Sequence, residues 1–386
     1  MRPRARPRFA RTASGFLALA LFCVLSVLPG CGGVEPIVWK LGKPFAKENI
    51  KIGILYPNEI TKNSRYDYEH YLGTLEMQAN LELSDSQIIR KVNVFDDEPG
   101  IIEAAMRDCI EEGANIILAA SWGYMNVCEK LAEEFPHVIF AHATGYKSNR
   151  NNFTNYSARM YQARYLAGIA AGLKTETGKI GYVAAMGKEN SEVTGGINAF
   201  AIGVEKVNPR ARVYVKFTYS WFDPMGETEA AAFLAASGCD VITQHCNTPA
   251  PQLAAEKAGV WGIGFNSDMS GDAPGAVITS VVPRWGVVYT RFVRSVIDGS
   301  FRPVPHFWGL KEGAVDLTPL NEKLAATGTF LKLAEERARI MYRGFNVFDG
   351  TLYTNDGKTV GKEGSTLSDE LILGGMNWYY RNVTEL

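Results

Sequence analysis

With 386 residues, 40 basic and 41 acidic side chains and 46% apolar residues, the chain is long enough for two domains with full cores. Its charge does not suit nucleic-acid binding: without residues 1–30 and their five arginines, 35 basic residues stand against 41 acidic ones, a net charge of −6. After residue 30 no stretch is apolar over the roughly 20 residues that a membrane-spanning helix needs.

Taken in chain order, Arg2, Arg4, Arg6, Arg8 and Arg11 precede an apolar run from Phe16 to Leu25, and Leu28-Pro29-Gly30-Cys31 follows. A basic segment, a short apolar segment and a small residue form the layout of an export signal. A cysteine directly after that small residue is what lipoprotein processing requires. The expectation is a signal peptide over residues 1–30, diacylglycerol and palmitate on Cys31, and a tether over residues 31–47. The protein would then sit outside the cytoplasm, held to the membrane by lipid. A plain secreted protein or an uncleaved anchor is the competing reading.

From residue 48 short apolar strands alternate with amphipathic helices. Residues 50–56 read as a buried strand and residues 66–80 as a helix. Ile101, Ala105 and Cys109, with Ile102, Met106 and Ile110, form the i, i+4 stripe of a second helix. Residues 114–120 are a strand, 124–134 a helix and 138–141 a strand. The polar stretch Gly145 to Asn155 reads as a crossover. The pattern restarts with a helix at 161–173, a strand at 179–184, a helix at 196–207 and a strand at 213–217. Helix 225–237, strand 240–244, helix 250–258 and strand 262–265 follow. Val277 to Gly299 reads as a strand plus a helix returning to the first lobe. Such alternation implies parallel sheets covered by helices on both faces, hence an α/β protein of two similar lobes. Cys109, Cys128, Cys239 and Cys246 lack CxxC and metal-ligand spacing. Cys239 and Cys246 flank one strand about 20 Å apart, and Cys109 and Cys128 read as buried thiols, with a disulfide between them as the alternative.

Ligands of open parallel sheets bind beyond the carboxyl ends of the strands. Here those ends carry Tyr56 and Asn58, Trp122, His142, Trp221 and Phe222, His245 and Asn247, and Asn266 and Asp268. Tyr66 and Tyr68 open the first helix, and Trp285 lies within the segment Val277 to Gly299. Flat aromatic faces stack a planar ring, while amides and carboxylates bond its edge or an attached sugar. The cleft is therefore expected to take a small, flat, polar solute, most simply a nucleobase or nucleoside. Each residue also has a packing alternative. Trp221 and Phe222 could be core aromatics, with Asp223-Pro224 capping a helix. His245 could be a satisfied structural histidine, Asn266 and Asp268 turn residues, and Tyr66 and Tyr68 the buried side of a helix start. The sequence contains no GxxxxGK[ST] loop, HExxH helix or GxSxG elbow; no catalytic residue, metal site or cofactor is expected.

Six stretches carry a resemblance: His142-Ala143-Thr144-Gly145-Tyr146, Gly196-Ile197-Asn198-Ala199-Phe200, Trp221-Phe222-Asp223-Pro224, residues 240–245, residues 264–269 and Met376-Asn377-Trp378-Tyr379. Over nearly all of residues 48–386 the chain resembles the basic membrane protein family, lipid-anchored solute-binding proteins of ABC transporters typified by purine-nucleoside receptors. The resemblance implies a two-lobed periplasmic-binding-protein fold of type I. Lobe one would comprise residues 48–156 and 277–300, lobe two residues 157–276 and 301–386, with the ligand in the cleft between them. The family's receptors sandwich the base between two aromatics, which fall at Trp221 and at Tyr66 or Tyr68. Their ribose-binding aspartate falls at Asn266 or Asp268, and a lysine they use falls at Pro283, beside Arg284. If the aspartate falls at Asn266, a carboxylate has become an amide; that departure and the one at Pro283 both touch sugar-contacting positions, so a free base such as adenine ranks slightly above a nucleoside. The implied partners are the purine and ABC permease subunits, with the protein itself a monomer. A sensor feeding a signalling partner is the alternative; a nucleoside-cleaving enzyme would need an aspartate cluster that the sequence does not display.

Overall fold

The buried apolar runs are strands and the segments between them helices in the computed structural model, which describes residues 38–386. The first half runs β1 (Ile52–Leu55), α1 (Arg65–Leu81), β2 (Ile88–Lys91), α2 (Pro99–Glu111), β3 (Ile116–Ala119), α3 (Met125–Glu134), β4 (Ile139–Ala143) and β5 (Phe153–Ala158). The second runs α4 (Met160–Lys174), β6 (Lys179–Ala184), α5 (Ser191–Val207), β7 (Arg212–Phe217), α6 (Pro224–Ala236), β8 (Val241–His245), α7 (Ala250–Lys257), β9 (Trp261–Phe265) and β10 (Val277–Pro283). The chain ends with α8 (Trp285–Ile297), β11 (His306–Trp308), β12 (Val315–Leu317), α9 (Thr329–Tyr342), the hairpin β13 (Asp349–Tyr353) and β14 (Thr359–Thr366), and β15 (Val383–Glu385).

Two sheets result. One is ordered β2-β1-β3-β4-β5-β11 with every pair parallel. The other is ordered β15-β7-β6-β8-β9-β10-β12, parallel except for its last pair. Strands β1, β3, β4 and β8 are buried along their whole length, as strands covered on both faces must be. In each sheet the order reverses beside its first strand, β1 or β6. That is where side chains on flanking loops splay apart and leave a crevice.

Helices begin where their first turns can be satisfied. Asn190 accepts from the Val193 N–H at 3.0 Å to open α5. Asp223 accepts from the Gly226 N–H at 3.0 Å, with Pro224 at the first position of α6. Helices α4 and α5 lie backbone to backbone. A Cβ added to Gly168 would fall 2.0 Å from the Phe200 carbonyl oxygen, and one added to Gly203 2.1 Å from that of Tyr165. Any side chain at either position would push the two helices apart.

Several expectations are corrected. Strands β2, β5, β11 and β12 were not anticipated. The polar stretch Gly145 to Asn155 is not the crossover: it leads into β5, which completes the parallel run of the first sheet, and the chain crosses between Ala158 and Met160. The segment Val277 to Gly299 divides. Strand β10 pairs with β9 in the second sheet, while α8 packs Trp285, Val288, Tyr289 and Phe292 into the core of the first lobe. Strand β11, expected in lobe two, pairs with β5 in the first sheet. The lobes are thus joined by three chain passages, near residues 159, 284 and 309–314. Residues 38–47 of the expected tether are docked. Trp39 and Phe45 are 5% exposed, packed in the same core as Phe301, and the Phe45 N–H donates to the Ile297 carbonyl. Cys31 and residues 1–30 lie outside the described residues. Cys109, Cys128, Cys239 and Cys246 are buried free thiols, and burial pushes Cys109 and Cys239 up to about 12, which leaves them protonated and unreactive.

Candidate functional site

A cavity of about 910 Å³ opens between the lobes, at the carboxyl ends of both sheets. From the first lobe it is lined by Asn58 after β1, Tyr66 at the start of α1, Trp122 after β3 and Trp285 at the start of α8. From the second it is lined by Trp221 and Phe222 after β7, Asn247 after β8, and Phe265 and Asn266 at the end of β9. Aromatic rings therefore face the space from both sides, with amides too, among them Asn58 on the first and Asn190, Asn247 and Asn266 on the second.

The rings are held from behind. Trp285 stacks on His70 at 4.2 Å between centroids, and Tyr66 meets the same imidazole edge-on at 4.5 Å. His70 Nδ1 is 2.6 Å from the Tyr289 hydroxyl. Burial pushes this imidazole down to about 3, so it is neutral at physiological pH. In the second lobe His245 packs edge-on against Trp221 at 5.9 Å and against Phe265 at 4.4 Å. Behind Phe265 the Arg164 guanidinium stacks at 4.1 Å and donates to the Gln244 carbonyl.

Asn266 adopts a left-handed backbone, φ +69°, which asparagine tolerates better than most residues. Its Nδ2 lies 3.4 Å from the Asn247 Oδ1, so the two amides form one donor–acceptor edge. Thr144, also on the lining, is left-handed too at φ +57°, a strained state for a β-branched residue.

The electrostatics are one-sided. Glu59, Asp67, Asp96, Glu189 and Glu192 line the cavity, with Arg65 as the basic residue among them. Asp67 holds Asn58 through its N–H at 3.4 Å and Nδ2 at 3.0 Å. Burial pushes its carboxyl upward, Asn58 opposes that, and Asp96 adds to it. The Ser121 hydroxyl donates to Asp96 at 2.5 Å. The Tyr66 phenol is driven well above its ordinary range, first by burial and then by Tyr289, Glu192, Asp67 and Asp96. Among the described residues no group of three His, Cys, Asp or Glu is placed to hold a metal ion.

Five predicted residues lie off the lining; His142 is one, fully buried in β4 with Nε2 3.1 Å from the Lys147 carbonyl. Tyr56 remains in the sheet ladder, its N–H bonded to the Lys91 carbonyl, and its ring is fully buried with the hydroxyl 3.0 Å from Thr74. Tyr68 lies on another face of α1, beside Tyr71. His245 is the last residue of β8 and fully buried, with Nδ1 3.2 Å from the Tyr182 hydroxyl and Nε2 3.9 Å from the Glu192 carboxylate. Asp268 is exposed and accepts from the Ser270 N–H. Of the open pairs, Tyr66 and Asn266 line the cavity and Tyr68 and Asp268 do not. Sequence reasoning missed Asp96, Glu192, Arg65, Phe265 and Phe307. Phe265 alone had a signal, as the last residue of a recognised strand.

Residues 49–347 match the family model described as ABC transporter substrate-binding protein PnrA-like. A purine-binding protein of Brucella abortus (strain 2308) is 34% identical over 351 residues, covering 89% of this chain and 95% of that protein. A putative ABC transporter glucose-binding protein of Haloferax volcanii is 33% identical over 276 residues, covering 72% of this chain and 68% of that one. The crystal structure of an ABC transporter system solute-binding protein from Aeropyrum pernix K1 shares the fold, with a TM-score of 0.65 at 17% identity over 77% of this chain and 92% of its own. Proteins of this family are solute-binding proteins rather than enzymes; they work outside the cytoplasm and take a small-molecule ligand to a permease partner. No helix among the described residues is long and apolar enough to cross a membrane. Two α/β lobes closing an aromatic-lined cavity, together with the match over most of its length, place this chain in the PnrA-like family of ABC transporter substrate-binding proteins.

Proposed function

We propose that this protein captures a purine outside the cytoplasm, a nucleobase of the adenine type ahead of a nucleoside, and delivers it to its ABC permease. The observation that carries the reading is the pairing of the Asn247 and Asn266 amides on a cavity faced by aromatic rings from both lobes. A primary amide both donates and accepts, matching the alternating donors and acceptors of a purine edge. If the ribose-binding aspartate of the family's nucleoside receptors falls at Asn266 rather than at Asp268, an amide has replaced it, which favours the free base. The acidic lining, with Arg65 already paired to Asp272, disfavours a phosphorylated ligand.

Adenine at 100-fold over its Kd should stabilise the fold by about 2.7 kcal/mol, read as a rise in Tm. Guanine, adenosine and inosine rank the purines, and AMP should have no effect. Glucose, prompted by the haloarchaeal relative, is the decisive competitor: a shift with glucose and none with any purine overturns the proposal. Mass spectrometry of the small molecule released on denaturing freshly purified protein provides an independent check.

The protein works as a lipid-anchored monomer in this reading, with Cys31 as the lipidated residue. Cys31→Ser should move it from the membrane fraction to the soluble one, because no acyl chain is then attached and stable anchoring takes two or more. Retention of Cys31→Ser on washed membranes would show that another feature anchors it.

A further inference from the structure

Arg65 is the first residue of α1, the end of a helix where a cation is disfavoured by the helix dipole. Its partner lies in the other lobe. Arg65 Nη2 donates to both carboxylate oxygens of Asp272, at 2.7 and 2.9 Å, and Nη1 approaches the Ser267 hydroxyl at 3.4 Å. The two side chains are only 16% and 25% exposed, so water screens the pair less than an ordinary surface salt bridge.

Both ends stand on rigid supports. Helix α1 is locked to α8 where Gly73 meets Trp285; a Cβ on Gly73 would lie 2.5 Å from the Trp285 Cβ. The turn carrying Asp272 is built on Met269, Ala273, Ala276 and Val277, all fully buried, and the Met269 N–H donates to Ser280. One helical turn beyond Arg65, Glu69 is held up to about 7 by burial, with Arg65 opposing the shift and Asp268 of the other lobe adding to it. Without Arg65, acids from both lobes would face each other along this seam.

We propose that Arg65 and Asp272 form the latch that holds the two lobes together over the cavity, so that ligand release requires this ion pair to break. They are positioning residues: the pair acts by joining the lobes rather than by recognising the ligand. The choice of adenine as probe rests on the purine reading; the latch itself does not.

The test uses Arg65→Gln, Asp272→Asn and the charge-exchanged double variant Arg65→Asp/Asp272→Arg, each confirmed as folded by its melting curve. The single variants should release adenine about 10-fold faster in stopped flow, equivalent to about 1.4 kcal/mol, with association altered less than about 3-fold, as expected for a partly buried interfacial pair. The double variant should recover most of the loss, which a merely local packing role would not allow. Small-angle scattering without any ligand should show a larger radius of gyration for the single variants than for the parent and the double variant. Wild-type release and wild-type scattering in both single variants would overturn the latch, as would a folded double variant that behaves like the singles. If adenine fails to bind even the parent protein while the scattering still responds, the purine reading falls and the latch stands.

Discussion

Trp221→Ala should weaken adenine binding by about 5- to 150-fold. Stacking of a base on an aromatic ring is worth roughly 1–3 kcal/mol by alanine substitution, and 1.4 kcal/mol is tenfold. The residue is placed for it: Trp221 follows β7 on the second lobe, lines the cavity and is only half-buried. Its backbone is fixed, since the Asn247 N–H donates to its carbonyl at 2.9 Å, and its ring is braced edge-on by His245. Trp221→Phe should keep most of the affinity because a flat face survives. Trp221 also packs against the apolar cores of the second lobe, so alanine should lower Tm modestly as well. Titration calorimetry and a melting curve on the same variant separate the two effects. A folded Trp221→Ala protein with parental affinity would remove this ring from the binding site, and a large loss of Tm with intact affinity would assign it to the core.

The second large effect is acid sensitivity. Burial pushes His70 down to about 3 and His142, His245 and His306 to about 4. In the unfolded chain these imidazoles take up protons near pH 6.5. Below that pH the unfolded state binds more protons than the folded one, so stability falls with pH between about 6.5 and 4. Four such groups give a slope of up to about 5 kcal/mol per pH unit. Glu69, held up to about 7, works in the opposite sense: its folded form holds a proton that the unfolded form releases above about 4.5. Asp67 and Glu227 are also raised by burial and oppose the histidines in the same way. Glu69 cancels about one of the four protons, so the net slope is at most about 4 kcal/mol per pH unit, lowered further by Asp67 and Glu227, against a total stability of about 5–15 kcal/mol for a typical fold. Tm should therefore drop steeply from pH 6.5 to 5, and His245→Gln should make the slope shallower by about one proton. A Tm that is flat between pH 7 and 5 would show that these imidazoles accept protons in the folded protein.

The histidines also show where sequence reading stops. His142 and His245 occupy strand ends, which the repeating pattern identified, yet neither lines the cavity. Side chains still within the ladder of a doubly covered sheet point into a helix layer. Tyr56 is buried for the same reason, bonded as it still is to Lys91. Asn58 and Asn247, two residues beyond Tyr56 and His245, reach the cavity instead. That two-residue difference depends on where pairing ends, which neighbouring strands decide.

The order of strands and helices was readable because buried parallel strands are continuous apolar runs and their covering helices repeat every 3.6 residues. Strand β5 escaped because Phe153-Thr154-Asn155-Tyr156-Ser157-Ala158 is half polar; its place comes from β4 and β11 on either side. Strand β10 was readable as a strand, but not the sheet it joins, since an apolar run is compatible with either core. Family and strand-end aromatics could thus be taken from local residues and their spacing. The contributions of Asp96, Glu192 and Arg65, and the ion pair from Arg65 to Asp272 more than 200 residues away, required the folded chain. Local sequence sets periodicity and the chemistry available at each turn, whereas a cleft between lobes is assembled from segments whose separation along the chain carries no signal of their distance in space.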